Sequence, residues 1–130
     1  MSNKYTVRVF KTRLFDRWAK GECIADNMLL DSIEAMESGL INASLGGHVY
    51  KQRVALSGQG KRGGARTIIA FKVKDKAFFI YGFAKNKRDN IRKDELTALK
   101  AYARELLAYS DFALSKAVYQ GVLIEVINHE

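Results

Sequence analysis

The hydrophobic period of this chain changes twice, and that change constrains its fold more than any single motif. Through residues 12–38 apolar residues recur at helical spacing. Thr12 can cap a first segment, 12–20, carrying Leu14, Phe15 and Trp18; a second, 25–38, carries Ala25, Met28, Leu29, Ile33 and Met36 and stops at Gly39. Residues 48–84 instead alternate, as a strand with two distinct faces requires. In 48–56, Val49, Lys51, Arg53 and Ala55 share one face, and Tyr50, Gln52, Val54 and Leu56 the other. Segments 66–73 and 76–84 read as two more strands around a tight turn at Lys74 and Asp75. Strict alternation places Phe79, Tyr81 and Phe83 on one face, opposite Phe78 and Ile80. The helical period returns in 92–109, where Leu96, Leu99, Ala103, Leu106 and Leu107 point inward and Asn90 is the expected cap. Segment 5–10 predicts a first strand, Ser110 starts a short helix to about residue 119, and 122–127 predicts a last strand.

The resulting order, β-α-α-β-β-β-α-α-β, predicts an α+β domain: a small antiparallel sheet with helices packed on one face. With 130 residues, 48% hydrophobic content and no proline or Ser/Gly-rich linker, residues 1–130 are expected to form one domain. The single cysteine, Cys23, excludes an internal disulfide framework and fits a reducing compartment. No apolar run approaches the roughly 20 residues of a membrane span, and no apolar leader stretch opens the chain. A cytoplasmic protein without membrane contact is the expectation.

Charge is concentrated in the same alternating section. Between Lys51 and Lys93 lie thirteen Lys and Arg residues against two acids, Asp75 and Asp89, a local +11. Residues 1–50 balance at six of each sign, and 94–130 carry three basic against six acidic residues. A cationic block of this density favours a polyanion, because each neutralised phosphate releases condensed counterions; a solubilising face is the alternative.

Within the block, residues 57–66 read Ser-Gly-Gln-Gly-Lys-Arg-Gly-Gly-Ala-Arg. A nucleotide-binding loop needs Gly-Lys-Ser/Thr opening a helix; here Arg62 follows Lys61 and a strand follows the loop. Residues 57–65 are therefore expected to form a cationic flap bearing Lys61 and Arg62, or simply a long hairpin loop. Lys51 and Arg53 share a strand face, Arg66 opens the next strand and Lys85 closes the third. Converging at one sheet edge, such groups could stabilise charge on a phosphodiester; singly, each could be a solvated surface cation. Lys72, Lys74 and Lys76 look like hairpin charges without a special task. Phe78, Phe79, Tyr81 and Phe83 could offer a stacking platform, but one face must pack under helices, leaving Tyr81 as the aromatic with a phenol for a site. His48 and His129 have no carboxylate nearby in sequence, no His/Cys/Asp cluster has metal spacing, and no serine sits in a nucleophile elbow. No metal or cofactor is expected, and any catalysis would rest on positioning and positive charge.

Residues 54–66, with the stretch Phe78-Phe79-Ile80-Tyr81-Gly82-Phe83-Ala84-Lys85-Asn86, resemble the RelE/HigB-type toxins of bacterial type II toxin–antitoxin modules, in the RelE/ParE superfamily. The likeness covers roughly residues 5–108. It implies two N-terminal helices, an antiparallel sheet and a C-terminal helix, which leaves 110–130 as a C-terminal extension. It implies cleavage of messenger RNA on the ribosome, by attack of a ribose 2′-hydroxyl on the adjacent phosphate. It also implies a cognate antitoxin, expected to be a helix-turn-helix DNA-binding protein. By this resemblance Lys51 or Arg53 would help deprotonate or orient the hydroxyl, Arg66 and Lys85 would stabilise the transition state, and Asn86 would stand beside Lys85; Tyr81 joins the catalytic candidates through its phenol. Lys61, Arg62, Lys87 and Arg88 would contact the nucleic acid. RelE itself places a tyrosine shortly after the third strand, whereas residues 87–92 here hold none. A branch of the superfamily instead poisons DNA gyrase, so the alternative is a non-catalytic protein, a gyrase inhibitor or a basic nucleic-acid-binding module.

Overall fold

The computed structural model describes residues 7–56 and 60–127, residues 60–63 through their backbone alone. In chain order the elements are β1 (Arg8–Thr12), α1 (Arg13–Gly21), α2 (Asp26–Glu37), β2 (Ala43–Gly46), β3 (Val49–Leu56), β4 (Gly60–Lys72), β5 (Lys76–Ala84), α3 (Lys93–Leu107), α4 (Asp111–Tyr119) and β6 (Leu123–Val126). The strands form one sheet ordered β2-β3-β4-β5-β1-β6, antiparallel except for the parallel β1–β5 pair. This is the α+β architecture that the two changes of period predict, with the four-residue β2 added at one edge.

The expectation of helices on one face does not hold. On one side of the sheet, Phe15, Ala19, Leu29, Ile33 and Met36 of α1 and α2 pack against Val54, Leu56, Ile69, Phe71 and Phe79. On the other, Ala103 and Leu106 of α3 and Leu114 and Ala117 of α4 pack against Val49, Ile68, Ala70, Phe78, Ile80 and Phe83. The physical reason lies in β4 and β5, whose central runs are apolar at consecutive positions. A strand apolar on both faces must be covered on both.

A bulge also breaks the alternation in β5. Ile68 pairs with Tyr81 and Ile69 with Phe79, which leaves Ile80 as the extra residue. Phe79 consequently packs under α1, its ring 5.2 Å from Phe15. Ile80, Tyr81 and Phe83 all lie on the α3 side, so Phe79 does not share a face with Tyr81 and Phe83. The β1–β5 ladder ends at Lys11 and Phe79, just before the bulge.

Several local expectations shift. The long loop is shorter than predicted: β4 begins at Gly60, which pairs with Leu56, and the Gly64 carbonyl accepts from the Lys85 amide at 2.9 Å. Glycine leaves the backbone hydrogen-bonding groups intact, so these residues extend the hairpin once its register shifts between Val54 and Leu56. Gly58 lies outside the described residues. At α3 the cap is Arg92, not Asn90, and Glu95 Oε1 accepts from the Arg92 amide at 2.7 Å. Thr12 does cap α1, its hydroxyl accepting from the Phe15 amide at 3.1 Å.

Two lysines are structural. Lys76, read as a hairpin charge, is buried, and its Nζ donates to the Tyr109 carbonyl at 2.7 Å just past the end of α3. Lys11 is buried where β1, α1 and α2 meet; its Nζ stands 2.7 Å from Asp26 Oδ1 and 2.7 Å from Asp16 Oδ1, and Lys20 holds the other Asp16 oxygen at 3.2 Å. Asp16 Oδ1 makes no hydrogen bond in good geometry, so its contact with Lys11 is ionic. Burial pushes the Lys11 amine down, but Asp16 and Asp26 outweigh it and hold the amine above its ordinary range. Burial likewise pushes the Asp16 carboxyl up, and Lys11 and Lys20 more than reverse that.

Candidate functional site

Cross-strand register builds the site. Arg53 pairs with Arg66, and Arg66 with Phe83; one row along, Lys51 pairs with Ile68, and Ile68 with Tyr81. Val49, Ile68 and Phe83 pack on the α3 side, so the two-residue period puts Lys51, Arg53 and Arg66 on that side as well. Arg53 and Arg66 therefore lie side by side, with Lys51 next along β3. Gln52 and Asn42 fix this strand from below. The Gln52 amide nitrogen donates to the Leu40 carbonyl at 3.2 Å, its oxygen accepts from the Asn42 amide at 2.6 Å, and Asn42 Oδ1 accepts from the Arg53 amide at 2.7 Å.

The turn after β5 then folds over this face. Lys51 Nζ donates to Asn90 Oδ1 at 3.2 Å, and Asn90 Oδ1 also accepts from the Ile91 amide at 2.9 Å. Lys85 Nζ donates to the Asp89 carbonyl at 3.2 Å, with the Asp89 carboxylate at 3.8 Å. Burial pushes the Lys51 amine below its ordinary range, and the charges of Arg66 and Lys85 push it further the same way. Lys51, Arg66 and Lys85 thus occupy one electrostatic environment. Such a group can hold a phosphodiester, and it holds one amine biased toward its neutral, proton-accepting form.

Tyr81 belongs to an adjoining network. Arg88 Nη1 donates to the Tyr81 hydroxyl at 3.0 Å, while Arg88 also meets Glu95 through Nη2–Oε1 at 2.6 Å and Nη1–Oε2 at 3.2 Å. Its guanidinium carbon lies 5.7 Å from the centre of the Phe83 ring. Since Arg88 can only donate, the phenol is the acceptor and its own O–H is left to donate elsewhere. The Arg88 hydrogen bonds, with that from the Arg92 amide, hold the Glu95 carboxyl well below its ordinary 4.5, at about 2.

The structure brings Lys51, Arg53, Arg66, Tyr81 and Lys85 to one face. Asn86 and Lys87 are exposed in the turn after β5. Arg88 is engaged between Tyr81 and Glu95, and the side chains of Lys61 and Arg62 lie outside the described residues. His129 lies outside them too, and His48 is exposed in the β2–β3 turn, its carbonyl accepting from the Phe71 amide at 2.9 Å. Sequence reading missed Glu95 as an anchor and Asn90 as a ligand of Lys51. Glu95 did carry one signal: it stands three residues after the cap, where a carboxylate can reach back to the cap amide. Among the described residues, no group of three or more His, Cys, Asp and Glu could hold a metal ion. No helix among them is long and apolar enough to cross a membrane.

A search of curated proteins finds no match to this chain. A protein-family model, that of the RelE toxin of the RelE/RelB toxin–antitoxin system, matches residues 7–126. The match runs from just before β1 to the last residue of β6, so it includes α4 and β6. The chain belongs to the RelE toxin family, and is the toxin of a toxin–antitoxin system whose partner is an antitoxin.

Proposed function

We propose that this toxin is an endoribonuclease that cleaves messenger RNA on the ribosome and thereby stops translation. The observation that supports this most is Lys51: a half-buried amine pressed toward its neutral form by burial and by Arg66 and Lys85. Neutral Lys51 accepts the proton of a ribose 2′-hydroxyl. The freed oxygen attacks the adjacent phosphorus, the bond from phosphorus to the 5′-oxygen breaks, and a 2′,3′-cyclic phosphate is left. Arg53, Arg66 and Lys85 offset the charge that builds on the phosphoryl oxygens. The Tyr81 hydroxyl, held by Arg88 through its acceptor side, supplies a proton to the departing 5′-oxygen. Glu95, held at about 2, is too weak a base for this role. Asn86, Lys87, Lys61 and Arg62 contact the RNA backbone around the cut. The antitoxin is a helix-turn-helix protein, and the toxin acts in the bacterial cytoplasm.

Induced expression followed by mapping of messenger ends tests the proposal. Growth arrest should coincide with new ends inside translated frames, and Arg66→Ala should remove both. Arrest with intact messages and altered DNA supercoiling would instead establish a gyrase inhibitor.

A further inference from the structure

The turn that crosses the cationic face, residues 85–92, sets acceptors of different charge against two amines. Asp89, the acid, lies at Lys85, whose Nζ donates to the Asp89 carbonyl at 3.2 Å and stands 3.8 Å from its carboxylate. Asn90, the amide, lies at Lys51, whose Nζ donates to Asn90 Oδ1 at 3.2 Å. Among the described residues no carboxylate forms an ion pair with Lys51. The amide cannot turn over: the Ile91 N–H donates to the same Oδ1 at 2.9 Å, so the atom facing Lys51 is the acceptor oxygen. Arg88 Nε donates to the Asn90 carbonyl at 3.0 Å, and the same guanidinium is held by Glu95 at 2.6 Å and bonded to the Tyr81 hydroxyl at 3.0 Å. One guanidinium thus fixes both the phenol and the residue that receives Lys51.

We propose that Asn90 is a positioning residue for the cleavage reaction: its neutral amide oxygen orients the Lys51 amine for proton transfer without adding a charge that would hold the proton there. The inference rests on the proposed ribonuclease activity. A neutral amine keeps two N–H bonds and one lone pair. With one N–H on Asn90, the lone pair is confined to directions away from the turn, where it can meet a 2′-hydroxyl. A carboxylate at position 90 would orient the amine equally well, but it would stabilise the ammonium form. The rest of the surroundings supply no such charge. Arg53 and Arg66 flank Lys51 from β3 and β4, and Tyr81 ends its row on β5. The two carboxylates of the network each face another cation, Asp89 in the turn at Lys85 and Glu95 on α3 at Arg88. Asn90 therefore gives direction alone, and Arg88, through the Asn90 carbonyl, ties that direction to the position of the Tyr81 hydroxyl.

Asn90→Asp keeps the shape and both contacts and adds the charge, whereas Asn90→Ala removes the acceptor. Carbon–proton NMR of labelled lysine follows the Lys51 titration in the isolated toxin, its signal assigned by its absence from Lys51→Met. Cleavage on programmed ribosomes across pH gives the second readout, and urea midpoints the third. Asn90→Asp should raise the Lys51 titration by about one unit, the low end for an opposite charge in contact. Below that titration cleavage should be about tenfold slower, one unit being a factor of ten, and should recover as pH rises. Asn90→Ala should show no upward shift and should lower kcat about tenfold, as a misplaced group does, with KM little changed. A Lys51 titration unmoved by Asn90→Asp would overturn the proposal, as would a loss in Asn90→Ala that merely follows its urea midpoint. A raised KM with kcat and pH profile intact would also overturn it, making Asn90 an RNA contact. Failure of the ribonuclease reading itself looks different: wild-type protein then leaves messages intact, while Asn90→Asp still moves the Lys51 titration.

Discussion

Glu95 and Arg88 are joined side to side, by contacts of 2.6 and 3.2 Å, and through Arg88 the carboxylate sets the position of the Tyr81 hydroxyl 3.0 Å away. A residue of the first turn of α3 thus controls a phenol on β5, although neither would be grouped with the other from sequence. Glu95→Gln weakens this hold without changing shape. It should lower kcat for message cleavage by about 10- to 100-fold, the scale of a misplaced catalytic group, with KM little changed. A parallel loss of thermal stability with kcat intact would reduce Glu95 to a structural anchor.

The same pair makes folding sensitive to acid. The Glu95 carboxyl titrates at about 2 in the folded protein against an ordinary 4.5, so its contribution to stability is complete above 4.5 and is lost as pH falls from there to about 2. Urea unfolding across that range should show a steeper acid decline in wild type than in Glu95→Gln. Equal declines would mean that the ion pair does not persist in solution.

For Lys51 the sign is reversed. Its folded pKa lies below the ordinary 10.5, so the protonated amine opposes folding at lower pH, and this cost fades as pH rises through the folded value toward 10.5. Cleavage should rise with pH through the folded pKa of Lys51 and then level. Removing a repelling charge, by Arg66→Met or Lys85→Met, should move that limb to higher pH as well as slow the reaction. A pH profile unaffected by either change would remove Lys51 from the role of base.

Gly82 is required by the Trp18 indole that lies on it. Gly82→Ala should cost about 1–3 kcal/mol by overpacking, seen as a lower urea midpoint and a shifted Trp18 emission. No change in either would mean that α1 can slide away from β5.

Lys11 is the buried charge between Asp16 and Asp26, with a side chain 8% exposed. Lys11→Met leaves the Asp16 carboxylate only its exposed partner Lys20 and should destabilise by about 3 kcal/mol, the low end for a broken buried pair, and adding Asp16→Asn should restore part of that loss. Additive losses in the double variant would show that the two residues do not depend on each other.

The elements were legible because hydrophobic period reports burial directly: β5 matches its predicted span, and Thr12 and Ser110 cap the helices they were expected to cap. Which face each helix covers was not legible, since a strand apolar on both sides pairs equally well in either arrangement. The bulge at Ile80 escaped for a related reason: Phe78, Phe79 and Ile80 are all apolar, so one inserted residue leaves no polar misfit to reveal it. Lys51, Arg53 and Arg66 were readable as a group because the β3–β4 register runs unbroken from Val49 paired with Ala70 to Val54 paired with Ala65; Lys85 joins them as the residue that follows β5. Asn90 and Glu95 were not, because a turn and a helix start bring them to the sheet through tertiary contacts alone.

The proposed ribonuclease activity rests on Lys51 working among the charges of Arg66 and Lys85. The most direct measurement is end-group analysis of a defined message on purified ribosomes incubated with the toxin. A single upstream fragment ending in a 2′,3′-cyclic phosphate and a downstream fragment with a 5′-hydroxyl should form, with Lys51→Met slowing their formation by about 10²- to 10⁴-fold. Intact message, or the same fragments formed at the wild-type rate by Lys51→Met, would contradict it.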